Sequence, residues 1–340
     1  MRVLSKRALI AAALGGLTVF APYAQAGNPN TNWTGAVSND WADASNWTGG
    51  VPNSNWGALG NGGTANISSI VPNIGDLTLG FNSNTGITVN LQTGGSLTVN
   101  AGGDADIGGK PPTGTQNSVL NIVGGSLITS AAAGATPAAN VIIGDETGAR
   151  GSIFISSGTI SDAGKLRVGV QARASFNVIG SGGTINVAGN LTTRESNNGQ
   201  SVSMSFALDS GGVSAIHVGG STTIGGGGTG TALVVTMNNL TPEHDLILID
   251  SASGSPLISG LFTSPTSPGV DLADGAAIST TFGGFWTYNW ILDYDYGIND
   301  NDVALVFQSV VATPEPGTAS FLLLGGIGAS LRRRKPRRGV

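Results

Sequence analysis

The chain has 340 residues, 55 of them glycine, with a formal net charge of −5 and only 10% charged residues. It has no cysteine, which excludes disulfides, thiolate nucleophiles and cysteine-bound metals. Small polar and β-branched residues are abundant, and such a composition favours strands and turns over helices. Apolar runs such as Ile153–Ile155 and Leu246–Ile249 argue against disorder. We therefore predict an all-β protein.

Residues 1–26 have the three parts of a secretory signal peptide. A basic start and an apolar stretch over 8–20 precede Ala24-Gln25-Ala26, in which Ala24 and Ala26 fit the small-x-small rule for cleavage. A membrane anchor is the alternative, but the apolar run is short for one. We expect export and cleavage after Ala26.

Residues 27–71 are predicted to be an N-terminal cap rich in tryptophan. Its four tryptophans are Trp33, Trp41, Trp47 and Trp56. Indole rings can stack on sugars, which makes these residues possible glycan contacts. The alternative, which we favour, is an aromatic plug over the open end of a repeat fold.

Residues 72–243 contain two recurring phrases, and the first returns at intervals of about 30 residues, a period typical of stacked repeats. The first phrase occurs as GGSLTVN at 94–100, GGSLITS at 124–130, SGTISDA at 157–163, GGTINVA at 182–188 and GGVSAIHV at 211–218. The second occurs as Asp106-Ile107-Gly108, Ile142-Ile143-Gly144, Arg167-Val168-Gly169 and His217-Val218-Gly219. Apolar and polar residues alternate within the phrases, as expected for strands with one buried side. We predict a right-handed parallel β-helix, a β-solenoid, with a β-sandwich or propeller as the alternative.

Residues 244–312 depart from the repeat and concentrate aromatic residues between two apolar strands. We predict a C-terminal β cap. Within it, 293–302 is dense in Asp and Asn, and its D-x-D-x-G start resembles a calcium loop. Ala304 stands where the last carboxylate of an EF-hand loop is needed, and a polar hairpin turn explains the same residues. We expect no cofactor, with calcium as the alternative.

Three basic residues lie close together in the repeat region: Lys165, Arg167 and Arg173. Parallel β-helix polysaccharide lyases use Arg or Lys as the base, and we name Asp145, Glu146 and Asp162 as carboxylates on adjacent turns. No lyase motif accompanies these residues, and a solvated strand face is the alternative. His217 and His244 have no second ligand at metal spacing and are interpreted as structural. Gly225–Gly230 fits G-x-G-x-x-G, but a strand follows it, which excludes a nucleotide site.

The last segment, 313–340, has three parts in a fixed order. Pro314-Glu315-Pro316 ends the preceding strand, and 317–331 is uncharged and apolar, somewhat short for a membrane span. A basic stop follows and consists of Arg332, Arg333, Arg334, Lys335, Arg337 and Arg338. We predict a hydrophobic C-terminal helix that stays in the membrane during sorting.

This tail resembles the PEP-CTERM sorting signal of exported bacterial proteins. The resemblance implies recognition by an exosortase in the inner membrane of a Gram-negative-type bacterium. It also implies a transient membrane tether, followed by release to the cell surface or the exopolysaccharide matrix. The repeats over 76–240 are similar to the β-strand repeats of autotransporter passengers and of PEP-CTERM surface proteins.

These readings predict a non-enzymatic surface or matrix protein with a structural or adhesive role and exopolysaccharide as its possible partner. The body between the two ends keeps six basic residues among many carboxylates, which argues against nucleic acid as a partner. The alternatives are a polysaccharide lyase or hydrolase of the β-helix class and a carbohydrate-binding module that uses the tryptophans.

Overall fold

The computed structural model describes residues 30–81, 85–109, 117–131, 137–195, 200–225, 230–252, 258–297 and 301–312. Strands dominate these ranges, and the one helical element within them is a short 3-10 turn at Ala44–Asn46. The prediction of an all-β protein is confirmed. The predicted signal peptide, sorting motif, hydrophobic helix and basic stop lie outside the described residues.

The strands of the described ranges follow one another closely along the chain. They are β1 (Asn30–Trp33), β2 (Gly57–Gly60), β3 (Gly63–Ile67), β4 (Asp76–Leu79), β5 (Ile87–Gln92), β6 (Ser96–Val99), β7 (Ala105–Ile107), β8 (Ser118–Thr129), β9 (Val141–Ile143), β10 (Arg150–Asp162), β11 (Leu166–Val168), β12 (Arg173–Ile179), β13 (Gly183–Val187), β14 (Leu191–Thr193), β15 (Val202–Leu208), β16 (Ile216–Val218), β17 (Thr222–Thr223), β18 (Thr231–Met237), β19 (Leu246–Ser251), β20 (Phe262–Thr263), β21 (Ala277–Phe282), β22 (Trp286–Tyr296) and β23 (Asp302–Ala312).

These strands form two sheets. The first sheet has the order β1-β2-β4-β7-β9-β11-β14-β17, and every neighbouring pair in it is parallel. The second sheet has fifteen strands and is parallel except for β21, β22 and β23. Its long strands β8 and β10 each bend through a register shift, so that β10 pairs with β12 along one half and with β13 along the other.

The chain visits these strands in a cyclic order. It passes from a strand of the first sheet to one half of the second sheet, then to the other half, and then back to the first sheet. The circuit β9–β10 is followed by β11–β12–β13, and each strand of the later circuit pairs in parallel with its counterpart in the earlier one. Each circuit therefore contacts chiefly the circuit before it and the circuit after it.

The repeated phrases lie in register for most of their length. Ser96 pairs with Ser126, Ser126 with Thr159, and Thr159 with Thr184, as the first phrase predicts. The last copy is displaced, because Ile185 pairs with Ile216. The alignment of these phrases therefore fails only in the last copy, 211–218, which contains β16.

The second phrase marks the end of the short strands in the first sheet. Asp106, Ile142 and Arg167 pair in succession, and each is followed two residues later by a glycine. These glycines, Gly108, Gly144 and Gly169, have φ values of 84°, 70° and 79°, a left-handed conformation that favours glycine where the chain turns. The copy at His217 differs, because it lies in β16 of the second sheet.

The interior consists of stacked apolar rows, since every second residue of a strand points inward. One such row is Leu127, Ile160, Ile185, Ile216 and Ile249, all fully buried and paired in register. Each such side chain contributes about 1.5–3 kcal/mol when fully buried. A continuous core of this kind holds together a chain that has no disulfide.

Parallel pairing extends beyond the predicted limits of the repeat region. In the predicted N-terminal cap, β1 pairs with β2 and β3 pairs with β5, both in parallel. In the predicted C-terminal cap, β19 and β20 continue the parallel pairing, and only β21 to β23 form an antiparallel sheet.

Candidate functional site

A row of amides runs along the outer side of the second sheet. Asn66, Asn90 and Asn121 occupy successive strands in register, and their partly exposed side chains alternate with buried apolar residues. The Asn90 amide donates to Asn66 Oδ1 at 2.8 Å, and the Asn121 amide donates to Asn90 Oδ1 at 2.8 Å. Stacked identical amides satisfy one another in this way, so the row is held rigid.

The row continues with a phenylalanine and another asparagine. Phe154 pairs with Asn121 on one side and Asn177 on the other, and it is half-buried. The Asn177 amide donates to Ile153 O at 2.9 Å and to Ser175 Oγ at 3.1 Å. One aromatic ring is thus held between amide neighbours at a fixed position.

A second outer row carries small hydroxyl residues. Thr64 pairs with Thr88, Ser152 with Ser175, and Ser175 with Ser203. The Ser175 hydroxyl donates to Ser152 Oγ at 2.9 Å. The two rows together define the amide face, which comprises Thr64, Asn66, Thr88, Asn90, Val119, Asn121, Ser152, Phe154, Ser175, Asn177, Ser203 and Ser205.

A shallow groove of about 360 Å³ lies at one edge of the amide face, from which it takes Asn90, Asn121 and Phe154. Its lining consists of Asn90, Gln92, Asn121, Val123, Phe154, Ser156 and Ile179. None of these residues carries a charge. Amides and hydroxyls around one aromatic ring can hydrogen-bond the hydroxyls of a sugar and cover its apolar side. The sequence gives little sign of the amide row, because Asn66 and Asn90 lie 24 positions apart and Asn90 and Asn121 lie 31 positions apart.

The charged face lies on the outer side of the first sheet and beside it. It comprises Asp76, Asp104, Asp106, Asp145, Arg167 and Glu195. Arg167 forms a two-pronged ion pair with Glu195, in which Nε donates to Oε1 at 2.7 Å and Nη2 contacts Oε2. This pair raises the pKa of the Arg167 guanidinium. The guanidinium is therefore positively charged and bound to a carboxylate.

Asp106 is the most perturbed carboxyl of the charged face. Burial raises its pKa to about 8, and the nearby carboxylates of Asp145, Asp76 and Asp104 act in the same direction, opposed by Arg167. Its Oδ1 is buried and forms no hydrogen bond within the described residues. Asp76, Asp104 and Asp106 line an open cavity of about 410 Å³. Sequence analysis did not group these three residues, because they come from two circuits of the chain. Asp76 lies in β4, whereas Asp104 precedes β7 and Asp106 lies within it.

Only two of the three basic residues proposed for a lyase site are brought together, since Lys165 and Arg167 line one open cavity of about 570 Å³ with Glu195. Arg167 lies in β11 of the first sheet, whereas Arg173 begins β12 of the second sheet, where its Nε donates to Gln200 Oε1 at 3.2 Å. Lys165 is exposed, and its backbone N–H donates to Asn140 Oδ1 at 3.0 Å.

The carboxylates proposed for the same site fall in two places, with Asp145 and Glu146 adjacent and Asp162 apart from them. Asp145 lies near Arg167 on the charged face. Burial is the main cause that raises the pKa of Asp145, and the nearby carboxylate of Glu146 raises it further. Asp162 is buried in β10, where its Oδ1 accepts from the Thr129 hydroxyl at 2.6 Å and from the Gly164 N–H at 3.1 Å. Burial also raises the pKa of Asp162. These hydrogen bonds indicate that Asp162 stabilises the packing of neighbouring circuits of the chain.

The two histidines lie apart. His217 Nδ1 lies 2.6 Å from Asp250 Oδ2 on neighbouring strands β16 and β19. His244 Nδ1 lies 2.7 Å from the backbone oxygen of Asp245. Across the described ranges, no three His, Cys, Asp or Glu side chains are arranged to hold a metal ion.

The tryptophans pack mainly against one another. Trp33, Trp41 and Trp47 are buried, with ring centroids 4.6 to 6.2 Å apart, and the Trp47 indole donates to Trp41 O at 2.8 Å. Trp56 is partly exposed. The first three rings therefore have no free side for a sugar, and we do not extend the predicted glycan contact to them.

The Asp- and Asn-rich stretch joins β22 to β23. Asp293 Oδ1 accepts from Asp295 N at 2.9 Å, and Asp302 Oδ1 accepts from Ser251 N at 2.9 Å. The Asn301 amide donates to Ala252 O at 3.1 Å. These contacts tie the hairpin to the end of β19, whereas 298–300 lie outside the described residues.

No family model, curated protein or solved structure matches this chain. Within the ranges that the structure describes, no helix is long and apolar enough to cross a membrane.

Proposed function

We propose that this chain is an exported surface or matrix protein whose amide face binds an extended, neutral stretch of exopolysaccharide. The observation that carries the proposal is the row of Asn66, Asn90 and Asn121 leading to Phe154. It offers amides at the spacing of successive strands, about 4.8 Å, along one line. A long sugar chain can follow such a line through many weak hydrogen bonds.

The proposal includes a right-handed parallel β-helix as the architecture. Support comes from the cyclic order in which the chain visits the two sheets and from the parallel pairing of each circuit with the next. Right-handed crossovers are the rule for parallel strands of one sheet. In this architecture each added circuit lengthens the amide face by one strand.

Export and sorting belong to the same proposal. The signal peptide at 1–26 would direct the chain out of the cytoplasm, and the tail at 313–340 would hold it in the inner membrane for an exosortase. Release would then place the chain on the cell surface or in the matrix. The sequence of both ends supports this route.

A glycan assay tests the proposal with the purified full chain. The chain is incubated with exopolysaccharide from its own producer, and both co-sedimentation and glycan chain length are measured. We expect binding without shortening, and about two- to tenfold weaker binding for Phe154→Ala, since an aromatic contact contributes about 0.5–1.5 kcal/mol. Asn186→Ala, at an exposed asparagine outside the amide face, is the matched control. Equal binding by Phe154→Ala and the wild type would overturn the role of the amide face.

One observation favours a hydrolase as the second candidate. Asp106 is largely protonated at neutral pH and lies beside other carboxylates in an open cavity, as a general acid for sugar hydrolysis requires. Shortening of the glycan by the wild type, and its loss in Asp106→Asn, would favour this candidate over the structural role.

A further inference from the structure

The antiparallel sheet at the C-terminal end has an exposed apolar tip. Phe285 is 45% exposed, Trp286 41% and Val311 52%, although other aromatic residues of the same sheet are buried, such as Tyr288 and Trp290. Gly283 and Gly284 form the turn that carries Phe285, and both have positive φ. We call Phe285, Trp286 and Val311 the aromatic tip.

The aromatic tip lies where the chain leaves the sheet. Trp286 pairs with Phe282 on one side and with Ala312 on the other. Ala312 is the last described residue before the segment 313–340, so the apolar stretch 317–331 follows the tip after only a few residues.

Charge is distributed unevenly along this sheet. Residues 276–292 and 303–312 contain no Asp, Glu, Lys or Arg. The carboxylates Asp293, Asp295 and Asp302 lie at the opposite end of β22 and β23. A strand of this length spans about 35 Å, so the acidic end lies far from the tip. The strands of this acidic protein thus carry no charge of their own where the chain leaves the sheet, and the carboxylate that acts on Tyr288, Glu243, comes from outside the sheet.

We propose that the aromatic tip rests on the bilayer surface while the tail is held in the membrane. This inference rests on the membrane tether of the proposed function. Tryptophan and other aromatic side chains favour the headgroup region of a bilayer. The uncharged tip avoids the repulsion that carboxylates experience near anionic lipids.

The size of the tip favours a lipid surface over a second copy of this chain. An aromatic residue buries about 150–250 Å² when fully covered, and each ring here already has more than half of its surface covered. Stable protein interfaces bury about 800 Å² on each partner, more than three such side chains offer. A bilayer needs no matching surface, and the adjacent segment brings it close.

The chain has no cysteine, so a single introduced cysteine can report the position of the tip. The full chain carrying Phe285→Cys is labelled with a polarity-sensitive fluorophore and reconstituted into vesicles of phosphatidylcholine and phosphatidylglycerol. Leu323→Cys reports insertion of the tail. Val37→Cys, at an exposed apolar residue of the N-terminal region, is the matched control for a surface apolar site. Quenching by lipids brominated near the headgroup is measured for each.

We expect the label at position 285 to shift its emission to shorter wavelength and to be quenched, with no such change at position 37. Quenching at position 323 alone would overturn the contact of the tip and leave the membrane tether intact. No quenching at either 323 or 285 would overturn both. Disulfide-linked dimers of the unlabelled Phe285→Cys variant under air oxidation, together with no quenching of the labelled one, would assign the tip to contact between copies and overturn the lipid contact.

Discussion

The amide face and the charged face share one stacked interior but differ in electrostatics. On the amide face, neutral side chains such as Asn90 and Asn121 bond to one another in a line. On the charged face, burial raises the pKa of the Asp106 carboxyl to about 8, whereas Arg167 forms an ion pair with Glu195. The inward residues determine the fold, so the outward ones are free to set the chemistry of each face. Glycan binding is therefore expected on the amide face, because its polar side chains do not change charge with pH.

The largest effect is expected at Asp106. Its pKa rises from 3.8 to about 8 in the folded chain, so folding takes up a proton between these pH values and the free energy of unfolding falls as pH rises through them. Asp106→Asn should remove this slope and be more stable than the wild type at pH 8, by a few kcal/mol at about 1.4 kcal/mol per pH unit. Urea unfolding at several pH values measures the difference. Asp271→Asn, at an exposed residue, should keep the wild-type slope, and an unchanged slope in Asp106→Asn would contradict the prediction.

A smaller effect is expected at Asn90, which connects two neighbours in the amide row. Asn90→Ala removes both amide contacts, with Asn66 and Asn121, and should lower the free energy of unfolding by about 1–3 kcal/mol at any pH from 5 to 9. The urea midpoint measures this change, and Asn186→Ala is the control. A pH-dependent loss would show that the two faces are not independent.

The smallest effect is expected at the ion pair of the charged face. Both side chains of Arg167 and Glu195 are 27% exposed, and partly solvated pairs contribute about 0–1 kcal/mol. Glu195→Gln should therefore change stability only slightly, and the difference should shrink as salt is added. Thermal unfolding at low and high salt checks this. A large loss that salt does not reduce would assign the pair a structural role.

Sequence analysis predicted the strands and their register where local patterns repeat. Ser96, Ser126 and Thr159 were aligned by their phrases, because each phrase combines a glycine turn with an alternating strand. The Asn66–Asn90–Asn121 row was missed, since the turns between its members differ in length and no local pattern marks it. Asp106 was missed as a perturbed carboxyl for a similar reason. Burial raises its pKa most, and the carboxylates of Asp145 and Asp76, which lie in other circuits of the chain, raise it further.

The parallel strands described here form three stacks: the first sheet and the two halves of the second sheet. At its C-terminal end, each stack offers little free backbone on which a further strand could pair. The first sheet ends at β17 and one half of the second sheet at β20, both only two residues long. The other half ends at β23, which runs antiparallel to β19 and covers its backbone. Short and covered edges prevent the addition of strands from another molecule. Copies crowded together at high concentration should therefore not add strands to one another at this end of the parallel stacks.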